Sequence, residues 1–245
     1  MSVKSFKCTV YPTGVVDYPT LIGHSRAFDA MKDCTGPVII TLMYDRVAIP
    51  KYGAFKQALF GHLDSPAFGD STSVVIKQCW YTSTATGGRT TYDNHSQVTK
   101  LSGEINCLRW ASALMGLVYD YIDSYTETHG AVPFSIPGMR FVKSALAVAE
   151  GSNDTFLLEE VIDNAIDGDF IKYIGNGSAK LYDFLEGEAL HTGKFLSFSQ
   201  HLQYLKTDRL AFVSDFQGTS IHRNVDHSSL SVSDMFSSRW TSFTD

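Results

Sequence analysis

The chain has 245 residues, of which 44% are hydrophobic and 19% are charged, and its formal net charge at pH 7 is -6. This composition is typical of a globular protein with one large domain or two small lobes, and it excludes a disordered chain. The acidic balance disfavours a nucleic-acid-binding domain, which is more often basic. No apolar run approaches the length needed to cross a bilayer, and the first residues lack the apolar core of a secretory signal. We predict a cytoplasmic protein with no nucleic-acid or membrane partner.

The first half of the chain predicts a β-rich region with one long helix. Glycine and proline predict irregular structure in the first twenty residues, before a strand at 38–44. A glycine and a strand-like run follow at 53–61. Residues 73–81 are rich in β-branched and aromatic side chains and predict a strand that contains Lys77. Apolar residues three and four positions apart predict a helix at 101–123.

Two charged residues of this half each allow two interpretations. Lys77 either points to solvent from an alternating strand or points into a cleft, where a strand-held ammonium suits a phosphate. Glu104 falls in the first turn of the predicted helix. There it either interacts favourably with the helix dipole or pairs with Lys77.

The second half alternates strands and helices. Breaker residues at 130–138 precede two strands, at 140–148 and 156–162, which a hairpin turn at 151–154 connects. This stretch is the predicted boundary between two lobes. A strand-like stretch at 170–174, a second helix at 186–203 and a strand at 210–218 follow, and the serine-rich tail from residue 228 is weakly patterned.

The strand at 210–218 ends in polar residues of chemical interest. Its apolar run leads to Asp215 and Gln217, with a turn predicted at Gly218. Phosphoryl transfer requires a cation on the nucleotide phosphates, oxygen ligands for Mg²⁺ and a carboxylate that orients the attacking hydroxyl. Lys77, Asp215 and Gln217 together have that chemistry, although a strand that merely ends in a turn has the same local pattern.

These residues resemble the α-kinases, the atypical Ser/Thr protein kinases that include the myosin heavy chain kinases and the elongation-factor kinases. The resemblance covers about residues 50 to 235 and is strongest at 156–218. There, 156–173 is similar to the family's hinge, and His201, Tyr204 and residues 215–218 are similar to its HxxY…DLQG motif. More loosely, 53–56 resembles the glycine loop and 75–77 the strand that carries the ATP-binding lysine. The chain is most similar to divergent α-kinase-like proteins of fungi.

The resemblance implies a fold and a division of the chain. The fold would be α+β, a two-lobed atypical protein-kinase-like fold with a β-rich N-lobe, one long helix and a smaller mixed C-lobe. Residues 1–50 would be an N-terminal extension leading into the N-lobe, 51–155 the N-lobe, and 156–245 the hinge and an incomplete C-lobe.

The resemblance also implies roles for individual residues. Lys77 would bind the nucleotide phosphates and take part in catalysis, and Lys56 would assist it. Glu159 would lie at the hinge beside adenine. Asp215 would be the catalytic carboxylate and Gln217 a Mg²⁺ ligand. The substrates would be Mg-ATP and a Ser or Thr residue of a protein.

Two departures from the family pattern lie near the C-terminus. The family's second metal-binding Asp falls at Val225 here, and Asp226 comes one position later, so that a one-residue insertion would restore this ligand. His201 matches the family's first zinc-binding histidine, but no cysteine follows Cys107, and a tetrahedral zinc site cannot be built from His201 alone. We therefore expect a truncated C-terminal part without the structural zinc.

Two functional classes remain open. The first is an active Ser/Thr kinase that uses Mg-ATP, and the second is a degenerate pseudokinase that binds nucleotide or a protein partner. A metallohydrolase is disfavoured because the histidine spacing matches no metal motif; its ligands would be His191, His201, His222 and His227.

Overall fold

The computed structural model describes residues 3–24, 28–34, 36–68, 71–162, 169–175 and 179–219, and the backbone of 234–242. Several residues singled out from the sequence lie outside these ranges. They are Asp226, His222, His227, Val225 and the Asp167-Gly168 pair of the hinge-like motif.

Twelve strands and three helices are present in the described residues. In chain order they are β1 (Val3–Pro12), α1 (Tyr18–Gly23), β2 (Val38–Asp45), β3 (Lys51–Tyr52), β4 (Lys56–Leu63), β5 (Ser73–Thr82), β6 (Arg89–Thr91), α2 (Asn94–His129), β7 (Met139–Phe141), β8 (Ser144–Ala149), β9 (Thr155–Glu160), β10 (Ile171–Lys172), α3 (Gly187–Lys206), β11 (Ala211–Thr219) and β12 (Asp234–Ser242).

The chain divides into two compact units, each made of separate stretches. The first comprises Met1–Gly14, Arg26–Asn106 and Lys143–Val161, and the second comprises Val15–Ser25, Cys107–Val142 and Ile162–Asp245. The division predicted from the sequence used contiguous segments instead.

Six antiparallel strands of the first unit close into a barrel. Their order is β4-β2-β1-β8-β9-β5, and β5 pairs again with β4. Side chains alternate along each strand, so that Val74 and Ile76 of β5 point into the barrel core. Cys79 points outward and packs against Leu101 and Ile105 of α2. The barrel wall therefore has a buried inner face and an outer face partly covered by the helix.

The prediction of irregular structure in the first twenty residues is wrong. β1 pairs with β2 along one edge and with β8 along the other. Both prolines fit regular structure, since Pro12 is the last residue of its strand and Pro19 lies in the first turn of α1. Asp17 caps that helix by accepting a hydrogen bond from the Thr20 amide at 2.7 Å.

Helix α2 is longer at both ends than the predicted 101–123. It begins at Asn94 because Asp93 caps it: Ser96 donates from its amide and from its hydroxyl to the two Asp93 oxygens, at 2.9 and 3.0 Å. These hydrogen bonds lower the pKa of Asp93 below its usual value. The helix ends at His129, and the φ of 85° at the following Gly130 suits a C-terminal cap. Glu104 therefore lies inside the helix, and its predicted interaction with the first-turn dipole is wrong.

The second unit packs two helices on a four-stranded sheet of order β10-β11-β12-β7. Its core joins Leu114 and Val118 of α2 to Leu196 of α3 and to Val213 and Phe216 of β11. The predicted helix at 186–203 and strand at 210–218 are confirmed, with ends shifted by a few residues. The weakly patterned tail contains β12, whose backbone pairs with β11 and β7.

The architecture confirms a strand-rich α+β fold. Among the helices that the structure describes, none combines the length and apolar character that a membrane crossing requires.

Candidate functional site

Lys77 and Glu159 form an ion pair on the outer face of the barrel. The strand register sets Val75 opposite Glu159 and Lys77 opposite Leu157, so the paired side chains are diagonal neighbours on one face. Their side chains are only 23% and 10% exposed. The interpretation that Lys77 simply points to solvent is therefore wrong, because its ammonium pairs with Glu159. Binding of a phosphate by Lys77 stays a prediction.

Lys56 and Glu104 form a second ion pair in the same unit, with 2.5 Å between Nζ and Oε2. The predicted pairing of Glu104 with Lys77 is wrong, because Glu104 contacts Lys56 and Lys77 contacts a different carboxylate. In the register of β4 and β5, Lys56 lies opposite Cys79, and Ala58 lies opposite Lys77. The two lysines thus occupy the same outer face of neighbouring strands, and each is neutralised within its unit.

The loop that resembles the glycine loop is the turn between β3 and β4, and hydrogen bonds hold it. Within the turn, the Gly53 amide donates to the Lys56 carbonyl at 2.8 Å. Trp80 of β5 donates from its indole to the Gly53 carbonyl at 3.2 Å and from its amide to the Phe55 carbonyl at 3.0 Å. The turn next to Lys56 is therefore attached to the strand that carries Lys77.

A buried glutamine of α2 holds that strand two residues beyond Lys77. Cys79 lies between the end of the β9 pairing and the start of the β6 pairing. Gln97 fills this gap: its Oε1 accepts from the Cys79 amide at 3.0 Å, and its Nε2 donates to the Cys79 carbonyl at 2.7 Å. Gln97 is 1% exposed. It was not predicted from the sequence because it precedes the predicted start of the helix at residue 101.

Asp215 lies in a β-bulge of β11. Ser214 is opposite Arg239 and Gln217 is opposite Ser237, so β11 has an extra residue between these two pairs. The backbone φ of Asp215 is 57°, in the left-handed region that residues other than glycine rarely occupy. The carboxylate is buried. The predicted turn at Gly218 is wrong, because the strand continues to Thr219; the bulge alone interrupts its regular pairing.

Lys172 of β10 is the ion-pair partner of Asp215, with its Nζ 2.8 Å from Oδ1. That oxygen is buried and accepts no hydrogen bond of normal geometry from the described residues, so the contact is an ion pair rather than an aligned hydrogen bond. No separate role for Lys172 was predicted from the sequence. Its occurrence in the Lys-Tyr pair of the hinge-like motif was the available signal.

Two buried glutamines of α3 hold β11 two residues before Asp215. Gln203 Oε1 accepts from the Val213 amide and Gln200 Nε2 donates to the Val213 carbonyl, each at 2.8 Å. The other amide atoms, Oε1 of Gln200 and Nε2 of Gln203, are buried without a hydrogen-bond partner in the described part of the chain. Neither glutamine was singled out from the sequence.

The predicted metal ligands are less well defined. Gln217 is half-buried just after the bulge. His201 is exposed on α3, where it lines a surface pocket of about 450 Å³ with Tyr204 and Arg209. Within the described ranges, no group of three or more His, Cys, Asp or Glu side chains could hold a metal ion. The metal-binding roles of Gln217 and His201 stay predictions, and Asp226 lies outside the described residues.

Comparison with known proteins relates the fold to a kinase. No protein-family model matches the chain, and no curated protein matches its sequence. Among solved structures, a mutant of the catalytic domain of myosin heavy chain kinase A is similar to the chain with a TM-score of 0.50 and 11% identity, over 98% of this chain and 83% of that chain. At this identity the likeness shows the fold alone. The chain has an α-kinase-like fold, as the sequence resemblance implied; membership of the family is not shown.

Proposed function

We propose that this chain is an α-kinase-like protein that transfers the γ-phosphate of Mg-ATP to Ser or Thr of a protein substrate. The observation that carries the proposal is the state of Asp215. It is a buried carboxylate on left-handed backbone, and its Oδ1 accepts no normal hydrogen bond from the described residues. Strained backbone and poorly satisfied buried charge are costly, and they concentrate at functional sites.

Asp215 would orient the attacking hydroxyl and accept its proton. The bulge fixes the direction of the carboxylate, and Lys172 would hold it in place from the neighbouring strand. A carboxylate held this way loses little freedom when a substrate binds, which favours its role as the catalytic carboxylate.

Lys77 would bind the nucleotide phosphates and contribute to catalysis, assisted by Lys56. Both are compact ammonium groups on the strands of one barrel face, a rigid support for a polyanion. Glu159 orients Lys77 and would also lie beside adenine, as the family resemblance implies.

The residues near Asp215 fit Mg²⁺ in part. Oδ1 of Asp215 is a hard oxygen that accepts no normal hydrogen bond within the described ranges, and the Gln217 side chain would supply a second oxygen. Because Mg²⁺ keeps several waters, few protein ligands suffice. Lys172, at 2.8 Å from Oδ1, would have to move from that position. Bound Mg²⁺ would neutralise phosphate charge, and Asp226 would be a further ligand.

A pseudokinase is the second candidate. The observation that favours it is that each candidate charge is already neutralised within its own unit: Lys77 by Glu159, Lys56 by Glu104, and Asp215 by Lys172. A nucleotide or a metal ion would have to compete with these pairs. Such a protein would bind nucleotide weakly or serve as a protein-interaction module.

Phosphate transfer from radiolabelled ATP to the protein itself and to a general kinase substrate tests the proposal. Asp215→Ala should reduce transfer by at least about 100-fold, the lower end of the usual contribution of a general base. Asp208→Ala is the matched control, because Asp208 is exposed and also has left-handed backbone, with φ 53°. Transfer by Asp215→Ala at the wild-type rate would disprove the catalytic role.

Thermal unfolding with and without Mg-ATP separates the two candidates. Nucleotide binding raises the melting temperature by mass action, and about 100 Kd of ligand stabilises the folded state by about 2.7 kcal/mol. Stabilisation together with transfer supports the kinase, and stabilisation without transfer supports the nucleotide-binding pseudokinase. If Mg-ATP gives neither stabilisation nor phosphate transfer, the result supports the protein-interaction module.

A further inference from the structure

An aromatic pocket of about 360 Å³ lies in the second unit, at the C-terminal end of α2. Its walls come from the last turns of the helix, from the segment that follows it and from one residue of α3. The lining residues on which the argument depends are Tyr121, Tyr125, His129, Phe134 and Phe198. A volume of this size accommodates a large apolar side chain, and it falls at the small end of the range for ligand pockets.

A second depression of about 290 Å³ adjoins the first, and both are lined by Phe134 and Phe198. These two side chains are 56% and 43% exposed. A small molecule in either depression would remain partly open to solvent, whereas small-molecule sites bury most of their ligand. Two open depressions side by side instead suit two side chains of one peptide segment, a recurring form of peptide recognition.

The pocket wall is held in place before any partner binds. The His191 Nε2 donates to the Ser135 carbonyl at 2.9 Å, which attaches the wall segment to α3. Tyr119 of α2 donates to the Pro137 carbonyl at 2.7 Å and accepts from the Met139 amide at 2.8 Å. The Tyr125 and His129 rings stack with centroids 4.3 Å apart. A preformed wall reduces the entropy cost of docking.

The charges around the two depressions are basic. Lys194 lines the second depression, and none of the described residues that line the two depressions is acidic. Lys206 Nζ lies over the ring of Tyr121, 4.7 Å from its centroid. The acidic residues of this part of α2 lie on the opposite helix face by helical geometry; they are Asp120, Asp123 and Glu127. This local basic character contrasts with the net charge of -6 for the whole chain.

We propose that the two depressions dock a partner protein through an acidic peptide segment with two large apolar side chains. The apolar side chains would fill the depressions, and flanking carboxylates would pair with Lys194 and Lys206. Burial of aromatic anchors supplies most of the affinity in such contacts, and the charge pairs supply selectivity.

Fluorescence anisotropy with short fluorescein-labelled peptides tests the proposal. The peptides contain two Trp, Phe or Leu residues, from adjacent to four positions apart, in a background of Glu and Ser, and a matched series has Lys in place of Glu. We expect saturable binding of Glu-rich peptides and at least about tenfold weaker binding of the Lys series, the ratio that 1.4 kcal/mol produces. Binding that is absent from the whole Glu series, or equal in the two series, would overturn the proposal.

Substitutions then locate the binding. Phe198→Asp introduces a like charge and should weaken binding of the Glu-rich peptides at least about tenfold. Leu210→Asp, at a residue that is 72% exposed and lines neither depression, is the matched control. Phe198→Ala provides a second variant should the aspartate prevent folding, and unchanged affinity in every folded Phe198 variant contradicts the proposed location. Asp215→Ala should retain full peptide binding. The docking proposal and the kinase proposal are therefore tested independently of each other.

Discussion

In each unit, buried glutamine side chains of a helix bind the backbone of a candidate strand, but only in the first unit do all their amide atoms form hydrogen bonds with described residues. In the first unit, Gln97 alone pairs with both peptide groups of Cys79, and both of its amide atoms are used. In the second unit, Gln200 and Gln203 each pair with one peptide group of Val213, and each has one buried amide atom without a partner among the described residues.

The two units also differ in the backbone of the candidate residue that lies two positions from the glutamine contact, Lys77 in the first unit and Asp215 in the second. Lys77 lies on regular extended backbone within an uninterrupted strand pairing. Asp215 lies on a bulge with left-handed backbone. Packing of the fully buried Phe216 and Val213 in the second core offsets this cost. We infer that the first unit holds Lys77 on unstrained backbone, whereas the second unit tolerates backbone strain at Asp215 to present a carboxylate.

The largest expected effect comes from replacing the glutamines. Gln97→Met leaves the Cys79 amide unpaired and weakens the pairing of its carbonyl, so we expect a loss of about 3 kcal/mol in the free energy of unfolding. Gln203→Met leaves the Val213 amide unpaired but also removes the unsatisfied Nε2 of Gln203. We therefore expect a smaller loss, about 1–2 kcal/mol. Urea unfolding of the purified variants measures both values.

Gln57→Met is the control for these substitutions, because Gln57 is only partly buried and its 3.4 Å contact with Gln78 is weak. It should change stability by less than about 0.5 kcal/mol. Equal losses for Gln97→Met and Gln203→Met would contradict the distinction between a fully and a partly satisfied contact.

Periodicity predicted much of the fold because helices and strands repeat locally. Residues 73–81, 186–203 and 210–218 each have a clear apolar pattern, and each forms the expected element. The start of α2 was missed because residues 94–100 are mostly polar and the Asp93 cap alone determines where the helix begins. The prolines near the N-terminus led to a wrong prediction because both occupy positions that regular structure tolerates.

The pairings at the site depend on contacts distant in the sequence, which local patterns do not contain. Lys77 meets Glu159 because of the register between β5 and β9, and Glu104 of α2 meets Lys56 of β4 across 48 residues of sequence. The bulge at Asp215 arises because β11 has one residue more than β12 between the two residue pairs that flank it. A residue's type and spacing indicated Asp215 and Lys77 as candidates, but only the three-dimensional structure gives their partners.

The two ion pairs of the first unit should differ in strength. Lys77→Met leaves Glu159 largely buried without its partner, and we expect a loss of about 2 kcal/mol, below the usual ~3–5 kcal/mol because Lys77 is partly exposed. Lys56→Met is the matched control. Glu104 is 37% exposed and can be hydrated, so the loss should stay below about 1 kcal/mol. Chemical denaturation distinguishes them, and a larger loss for Lys56→Met would mean that the more exposed pair is the structural one.

Asp215→Asn should have the smallest effect on stability and the opposite sign. Asparagine tolerates left-handed backbone as aspartate does, and it removes the cost of a buried charge. Lys172, with a side chain that is 42% exposed, can turn to solvent when its partner is lost. We expect unchanged stability or a gain of up to about 1 kcal/mol, together with the loss of phosphate transfer, because residues kept for function are often not the most stable choice. Thermal unfolding and the transfer assay on the same preparation measure both. If Asp215→Asn instead destabilised the protein as much as Lys77→Met, the Asp215–Lys172 pair would be structural, and the contrast between the two units would fail at the residue on which the kinase proposal depends.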